Sequence, residues 1–274
     1  MAGPAQLTQW QLEGNAADAY ERYLVPTIFE PWARDLVDLA SIRPGHRVLD
    51  VACGTGIVAR LAAPRVGPAG AVRGLDLNAD MLAVAATACA GVSPAIEWTQ
   101  GDVEKLPYPD AHFDVALSQF ALMFFPDRVR ALAEMRRVTV PTGLVALSVW
   151  RSLEINRVYL GLAAALERHA GSDAAVMMGS PFALGDAGEL RDLLSAAGFR
   201  DIRIRIDVKM ERFPSPEEMI RREAASSPLA GPLGQLDDAA RAGLVAEVSE
   251  LLREHTDDES VAFPLEAYIV TARP

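Results

Sequence analysis

The sequence predicts an α/β fold in which a mostly parallel sheet carries helices on both faces. Between residues 47 and 150, short apolar segments alternate with amphipathic ones, as in repeated strand–helix units. The stretch Val48–Gly56 is an apolar strand that ends in an acid and then enters a glycine turn. Successive strands also end at an aspartate, at Asp50, Asp76 and Asp102.

Composition limits the classes of protein that fit this chain. The 274 residues are 50% hydrophobic, which is enough for one large domain with a cap. We expect no signal peptide and no stable membrane insertion, since no apolar run reaches about 18 residues. Two cysteines, Cys53 and Cys89, give neither a disulfide framework nor a metal site, so the chain suits a reducing cytoplasm. The net charge of −11 disfavours nucleic acid as a partner.

Residues 1–40 form the first predicted region, a helical cap. Its aromatic and apolar residues, Trp10 among them, lie between polar ones at helical spacing. We expect one or two helices here, interrupted at Pro26 and Pro31.

The second region, residues 41–274, contains the sheet. Its first strands are predicted at 48–51, 71–76, 96–100, 113–118 and 144–149, and the helices between them at 57–66, 78–90 and 127–138. After Trp150 we expect a helix at 154–170, a loop-like segment at 171–185, helices at 186–197, 214–225 and 237–254, and strands at 201–210 and 265–272. Residues 151–185 and 212–260 are then insertions, which we expect to cover a ligand crevice as a substrate lid.

The glycine turn alone allows two kinds of nucleotide. Gly54, Gly56 and Ala59 fit the dinucleotide fingerprint G-x-G-x-x-G/A, with Asp76 at the distance expected for a ribose-binding acid. An NAD-dependent oxidoreductase is therefore one alternative. Asp50 argues against it, because a pyrophosphate would meet a negative side chain at short range.

The three strand-end acids favour a different ligand. Asp50 would attract an ammonium or a sulfonium, Asp76 can accept hydrogen bonds from both ribose hydroxyls, and Asp102 can accept one from an adenine amine. Together they suit a ligand with an amino group, a ribose and an adenine, and no phosphate.

These motifs resemble those of class I S-adenosylmethionine (SAM)-dependent methyltransferases, in particular the ubiquinone/menaquinone-biosynthesis (UbiE-like) group that acts on small molecules. The resemblance covers about residues 45–150. Its motifs are Val48–Gly56, Gly74–Asn78, Gly101–Pro107, Phe113–Val115, Pro126–Arg128, Glu134–Val138 and Pro141–Leu144. Thr142 departs from the usual Pro-Gly-Gly of the last motif. The resemblance implies a Rossmann-like, seven-stranded sheet in the order 3-2-1-4-5-7-6, with strand 7 antiparallel.

The resemblance also implies roles for individual residues toward SAM, whose demethylated product is S-adenosylhomocysteine. Asp50 and the Ala52–Gly56 backbone would hold the methionine part, Asp76 the ribose, and Asp102 the adenine. The full set of expected cofactor positions is Asp50, Ala52, Cys53, Gly54, Thr55, Gly56, Asp76, Leu77, Met81, Gly101, Asp102, Val103, Ser118, Gln119 and Tyr23. An apolar substrate wall is expected from Tyr20, Phe120, Met123 and Phe124.

Structural roles remain open for most of these residues. Asp50 could simply cap the following helix, and the glycines could serve a turn without a ligand. Cys53 has no histidine near it in sequence, so a small buried residue is expected rather than a nucleophile. Trp10, Tyr20 and Tyr23 could cap the site or only pack on the core.

The expected reaction is direct methyl transfer to a small apolar or aromatic molecule. Ser118–Ala121 lacks the Asn/Asp-Pro-Pro-aromatic tetrad of enzymes that methylate nucleic-acid bases. No residue stands out as a general base, and the sequence leaves open whether carbon, nitrogen or oxygen receives the methyl group. The alternative to catalysis is a protein that binds SAM without turnover. Either a monomer or a homodimer fits the sequence.

Overall fold

A computed structural model describes residues 16–274 of the chain. Its sheet has seven strands: β1 (Arg47–Val51), β2 (Ala71–Asp76), β3 (Ile96–Gln100), β4 (Phe113–Gln119), β5 (Thr139–Trp150), β6 (Arg200–Phe213) and β7 (Val261–Arg273). They lie in the order β3-β2-β1-β4-β5-β7-β6. All neighbours are parallel except β7, which runs antiparallel to both β5 and β6. The fold class and strand order expected from the sequence are confirmed.

The central strands explain why the glycine turn lies where it does. From Val48 to Val51 every residue of β1 is buried, as expected for a strand covered on both faces. Asp50 pairs with Gly74 of β2 on one side and with Leu117 of β4 on the other. The chain adds strands to one side of β1 as far as β3 and then to the other side from β4 onward. Ligands of open α/β sheets bind at such a switch point.

Helices surround the sheet and form most of both insertions. They are α1 (Ala16–Ala19), a π-helix (Tyr20–Phe29), α2 (Glu30–Leu39), α3 (Ile57–Val66), α4 (Ala79–Ala88), α5 (Arg128–Val138), α6 (Arg157–Ala170), α7 (Ser172–Gly179), α8 (Ala187–Ala196), α9 (Pro216–Ser226), α10 (Ala230–Gly234) and α11 (Asp238–Leu251). Side-chain oxygens cap several of them; Asn78, Asp127 and Asp186 accept from N–H groups of the first turns. Among residues 16–274, we find no helix with the length and apolar character that crossing a membrane requires.

The N-terminal helices continue through Pro26 and Pro31, where we expected interruptions. Residues 16–39 form one continuous helical run, in which the Glu30 N–H donates to the Val25 carbonyl five residues back. Pro26 lies within this wider π-turn, and Pro31 lies in the first turn of α2, a position where proline is common. Trp10 and the other residues before 16 lie outside the described part of the chain.

This helical run is attached to the body of the protein through distant residues. Glu21 forms an ion pair with Arg60 of α3 at 2.9 Å. Arg222 of α9 donates to the Thr27 hydroxyl at 3.3 Å. The first described segment therefore contacts both the glycine-turn helix and the second insertion.

The segment 171–185 was expected to be a loop, and this expectation is wrong. It contains α7 and a short 3₁₀ turn, Ser180–Phe182. The flanking Gly171, Gly179 and Pro181 suggested a loop, but the residues between the two glycines form a helix that buries Ala174 and Met178. Strands β5, β6 and β7 are also longer than expected, and β6 pairs with β7 as far as Phe213 and Val261.

Candidate functional site

The glycine turn after β1 uses left-handed backbone at three positions. Ala52, Gly54 and Gly56 have φ values of 55°, 53° and 84°. A Cβ at Gly56 would lie 2.5 Å from the Trp98 ring, so glycine is required there by packing as well as by φ. The sequence indicated either close approach of a ligand or a turn without a ligand for this residue. Trp98, which lies on β3, supplies a second reason that sequence spacing could not show.

Asp50 lies at the carboxyl end of β1 and is only 1% exposed. Its Oδ2 accepts a hydrogen bond from the Ala59 N–H in the first turn of α3, at 2.9 Å. Burial raises the pKa of Asp50 to about 8, against the effect of the Ala59 donor, and the nearby Asp76 charge adds to the rise. The helix-capping role that the sequence left open is thus present in the structure.

Asp76, at the end of β2, is held by backbone donors on two sides. Its Oδ2 accepts from the Gly54 N–H at 2.8 Å, and its Oδ1 accepts from the Asn78 N–H at 2.9 Å. Burial raises the pKa of Asp76, and the backbone N–H groups oppose that rise. Asp102 similarly caps a short turn, because its Oδ1 accepts from the Glu104 N–H at 2.8 Å.

Three buried polar atoms beside the turn lack a hydrogen-bond partner within residues 16–274. They are Thr55 Oγ1, Ser118 Oγ and Gln119 Oε1. The amide nitrogen of Gln119 donates to the Phe29 carbonyl at 2.8 Å, which ties β4 to the N-terminal helices. Since buried polar groups normally have partners, this end of the sheet has polar atoms to offer a ligand.

A cavity of about 430 Å³ opens at this end of the sheet. It brings together most of the residues expected from the sequence: Tyr20, Ala52, Gly54, Asp76, Leu77, Met81, Gly101, Asp102, Val103, Gln119, Phe120 and Phe124. Among the described residues, its lining includes Asp76, Asp102 and Glu104 but no Lys, Arg or His.

The remaining expected residues do not line this cavity. Asp50, Cys53, Thr55, Gly56 and Ser118 lie in or behind the turn, and Met123 is a 5% exposed core residue. Tyr23 lies beside the guanidinium groups of Arg22, Arg221 and Arg222, at 5.1–5.6 Å from its ring centre. Burial raises the pKa of the Cys53 thiol well above its usual value, which disfavours a nucleophilic thiolate.

An aromatic wall lines the same cavity as the acids. Phe120 stacks on Trp150 with ring centres 3.5 Å apart and planes 6° apart, and Tyr20 stacks on Phe29 at 4.9 Å. Phe120 has a φ of 50°, an uncommon conformation for a bulky residue that positions its ring after β4. Burial, with the charges of Asp76, Glu21 and Asp50, raises the pKa of Tyr20, so its hydroxyl stays protonated above the acids.

Sequence reasoning missed several lining residues, notably Phe29, Trp150 and Pro181. Trp150 ends β5 next to the end of β4, and the rule that crevices form at strand carboxyl ends could have indicated it. Pro181 follows α7, in the segment expected to be a loop. Phe29 ends the π-helix, and no sequence signal marked that turn.

Comparison with known proteins identifies the part of the chain around this cavity. Residues 49–147 match the family model for a methyltransferase domain. These residues are therefore similar to a methyltransferase domain. Over 114 residues the chain is 43% identical to the ubiquinone/menaquinone biosynthesis C-methyltransferase UbiE of Ectopseudomonas mendocina, covering 41% of this chain and 44% of that relative.

Solved structures extend the likeness of fold beyond the methyltransferase domain. The phosphoethanolamine N-methyltransferase 2 of Haemonchus contortus, in complex with phosphomonomethylethanolamine and S-adenosylhomocysteine, matches with a TM-score of 0.57 and 19% identity, over 94% of this chain and 56% of that chain. The [4+2]-cyclase SpnF matches with a TM-score of 0.54 and 23% identity, over 90% and 81% of the two chains. The chain spans about half the length of the curated relatives it matches.

Proposed function

We propose that this protein binds SAM in the 430 Å³ cavity and transfers its methyl group to a small apolar or aromatic molecule. The observation that carries the proposal is the charge of the lining, which includes Asp76, Asp102 and Glu104 and no basic side chain among the described residues. Such a lining disfavours the pyrophosphate of NAD and favours a ligand with a cationic part. The similarity of residues 49–147 to methyltransferase domains supports the same cofactor.

The residues present fit the parts of SAM. Gln119, which lines the cavity and has an unpartnered oxygen, would bind the methionine part, with the buried Asp50, Thr55 and Ser118 behind it. Asp76 would accept from the ribose hydroxyls, because its two oxygens are already fixed in place by the Gly54 and Asn78 N–H groups. Leu77, Met81 and Val103 would contact the adenine, and Asp102 would accept from its amine.

When bound, the cofactor supplies a methyl group on a positively charged sulfur, and the protein's task is to align and shield it. The stacked Phe120 and Trp150 rings offer a flat apolar surface for the acceptor, and Phe29 and Pro181 extend it. Tyr20 and Phe29 cover the cavity from the N-terminal helices, which would exclude water. The insertions 151–185 and 212–260 would form the rest of the lid.

The acceptor would be a small molecule rather than a nucleic acid. A net charge of −11 repels phosphate backbones, and the described lining has no cation that could contact one. Asp76 and Asp102 would contact the cofactor, and the wall proposed for the acceptor consists of the apolar residues Phe29, Phe120, Phe124, Phe125 and Trp150. An acceptor that is already nucleophilic suits this wall better than one that needs a strong base. Because Cys53 and Cys89 are both free and buried, the reducing cytoplasm is the proposed location.

A protein that uses this fold without methyl transfer is the second candidate function. The SpnF cyclase shares the fold, so fold alone does not establish the reaction.

Binding and turnover are tested separately. In calorimetry, SAM and S-adenosylhomocysteine should bind and NAD should not. Asp76→Ala should weaken SAM binding by about 1–3 kcal/mol, because ribose hydroxyls lose their acceptor. The control is Asp80→Ala, an exposed acid in the first turn of α4. Preferential NAD binding, or unchanged SAM affinity in Asp76→Ala, contradicts the cofactor.

Radiolabelled methyl transfer to a panel of phenols, quinols and amines then tests catalysis. Labelled product with a small aromatic acceptor supports the proposal. Label only in tRNA or DNA overturns the substrate class, and tight SAM binding with no label in any acceptor favours the second candidate.

A further inference from the structure

The outer strand of the sheet carries a row of exposed apolar side chains. Ile206, Val208 and Met210 of β6 are 52%, 50% and 60% exposed and alternate along one face. Pro264, which pairs with Met210 on β7, is exposed on the same face. A contiguous apolar row of this kind is costly in water unless something covers it.

The backbone edge of β6 is open along the same row. Within residues 16–274, β6 has β7 as its one neighbouring strand. The Val208 N–H donates to the Asp207 side chain, at 3.1 Å from Oδ1, instead of to a strand. Proteins usually protect such edges from pairing with charged residues or bulges. In β6, single charged residues alternate with the exposed apolar residues Ile206, Val208 and Met210.

We propose that two copies of this chain pair antiparallel through β6, with Val208 opposite Val208 of the second copy. The contact is self-complementary, as a two-fold axis requires. Ile206 of each copy then lies opposite Met210 of the other, so the apolar rows of the two copies meet on one face. The two sheets become one continuous sheet of fourteen strands, twice the seven of one chain.

The charges of β6 select this register over its neighbours. With Val208 at the centre, each Asp207 faces a Lys209, and opposite charges directly across an antiparallel pair are favourable. Centring on Asp207 instead would place Arg205 opposite Lys209. Centring on Lys209 would place two lysines together and Asp207 opposite Glu211.

Lys209 can serve both contacts. Its Nζ is bound to Asp35 of α2 at 2.6 Å, and an ammonium has three donors. The Asp207 carboxylate of the second copy would take another. The Val208 N–H would exchange its bond to Asp207 for a strand carbonyl, which leaves Oδ1 of Asp207 for the lysine while Oδ2 stays bonded to Arg205 at 3.3 Å.

The first test measures mass in solution by light scattering over a wide range of protein concentrations. The wild type should have twice the mass of one chain, and Val208→Lys should be monomeric, because two lysines would face each other across the axis. The matched control is Val176→Lys on α7, where the wild-type valine is 48% exposed but lies on a helix. A monomeric wild type, or a Val208→Lys variant that stays dimeric, overturns the proposal.

The second test fixes the register without relying on a disruptive variant. Residues opposite each other in an antiparallel pair have Cα atoms about 4.5–5.5 Å apart, within reach of a disulfide. Val208→Cys should therefore form a reducible covalent dimer on mild oxidation, and Val176→Cys should not. The natural Cys53 and Cys89 are buried and leave the background low. A Val208→Cys protein that does not cross-link contradicts the pairing.

Discussion

Two sets of carboxylates, one beside the glycine turn and one between β6 and the second insertion, are held in different ways. Asp50 and Asp76 accept from backbone N–H groups, and Asp76 lines the open cavity. Glu211 of β6 accepts from the Tyr159 hydroxyl at 2.8 Å, while its Oε1 has no partner within the described chain. Burial raises the pKa of Glu211 to about 8 and that of Glu223 to about 7.

The difference shows what separates a binding acid from a structural one. Desolvation raises the pKa in both sets, so a shifted pKa alone does not indicate a ligand site. Fixed backbone donors and an adjoining cavity are found only with the first set. In the second set, Glu211 and Glu223 lie close enough for the charge of Glu223 to raise the Glu211 pKa further, which favours the protonated, neutral form.

The largest expected effect comes from disturbing the first set through its loop. Gly56→Ala would force a side chain at a φ of 84° against the Trp98 ring. We expect a loss of roughly 2–5 kcal/mol in the free energy of unfolding. SAM binding should weaken as well, because the turn that presents the Gly54 N–H shifts. Urea unfolding and calorimetry measure the two effects.

Gly91→Ala is the matched control for that change. Gly91 has a φ of 83°, close to that of Gly56, but a Cβ there meets no atom within 4 Å. It should lose only the strain, about 1–2 kcal/mol, and keep SAM affinity. Equal losses in the two variants would mean that Trp98 does not matter.

A smaller effect is expected from replacing the carboxyl group of Glu211 in the second set. An unfolded glutamate has a pKa of about 4.3, whereas folded Glu211 has a pKa of about 8. The folded state binds the extra proton between these values, so wild-type stability falls as pH rises from about 4 to 8. Glu211→Gln should remove the part of that fall that Glu211 contributes, while Asp50 and Glu223 keep theirs, and it should be more stable than wild type at about pH 8 by roughly 1–3 kcal/mol.

Thermal or urea unfolding at several pH values measures this difference, with the exposed Glu217→Gln as control. If Glu211→Gln followed the wild-type pH dependence, Glu211 would be charged in the folded protein.

The smallest effect is expected from removing the Tyr159 hydroxyl, which donates a hydrogen bond to Glu211. Tyr159→Phe removes one buried hydrogen bond and should cost about 1 kcal/mol in the free energy of unfolding. The cost should grow with pH, since a carboxylate accepts more strongly than a neutral carboxyl group. In the Glu211→Gln background the pH dependence should disappear; its persistence would assign it to another group.

The sequence predicted the glycine-turn half of the site better than the rest. Asp76, Gly101 and Asp102 follow directly from strand ends, and the structure places them around one cavity. Tyr20 and Tyr23 show the limit of this approach. Three residues apart, they share a face of an α-helix, but the wider π-turn separates them, and only Tyr20 reaches the cavity.

The contacts that join the aromatic residues of the cavity to the first insertion could not be predicted from sequence spacing. Trp150 meets Phe120, and Pro181 joins them, through packing between β4, β5 and the first insertion. Such contacts depend on how the helices pack on the sheet, and the spacing of residues along the sequence does not predict that packing. The same holds for Glu211 and Tyr159, which are 52 residues apart in sequence.

The attachment of residues 16–39 has a consequence for the order in which the protein assembles. Thr27 is bonded to Arg222, a residue that follows it by 195 positions. A chain emerging from the ribosome can form the strands with Asp50 and Asp76 well before it contains that anchor. The contact between residues 16–39 and the second insertion therefore forms only after residue 222 has been made, later than the contacts of the same helices with Arg60 and Gln119.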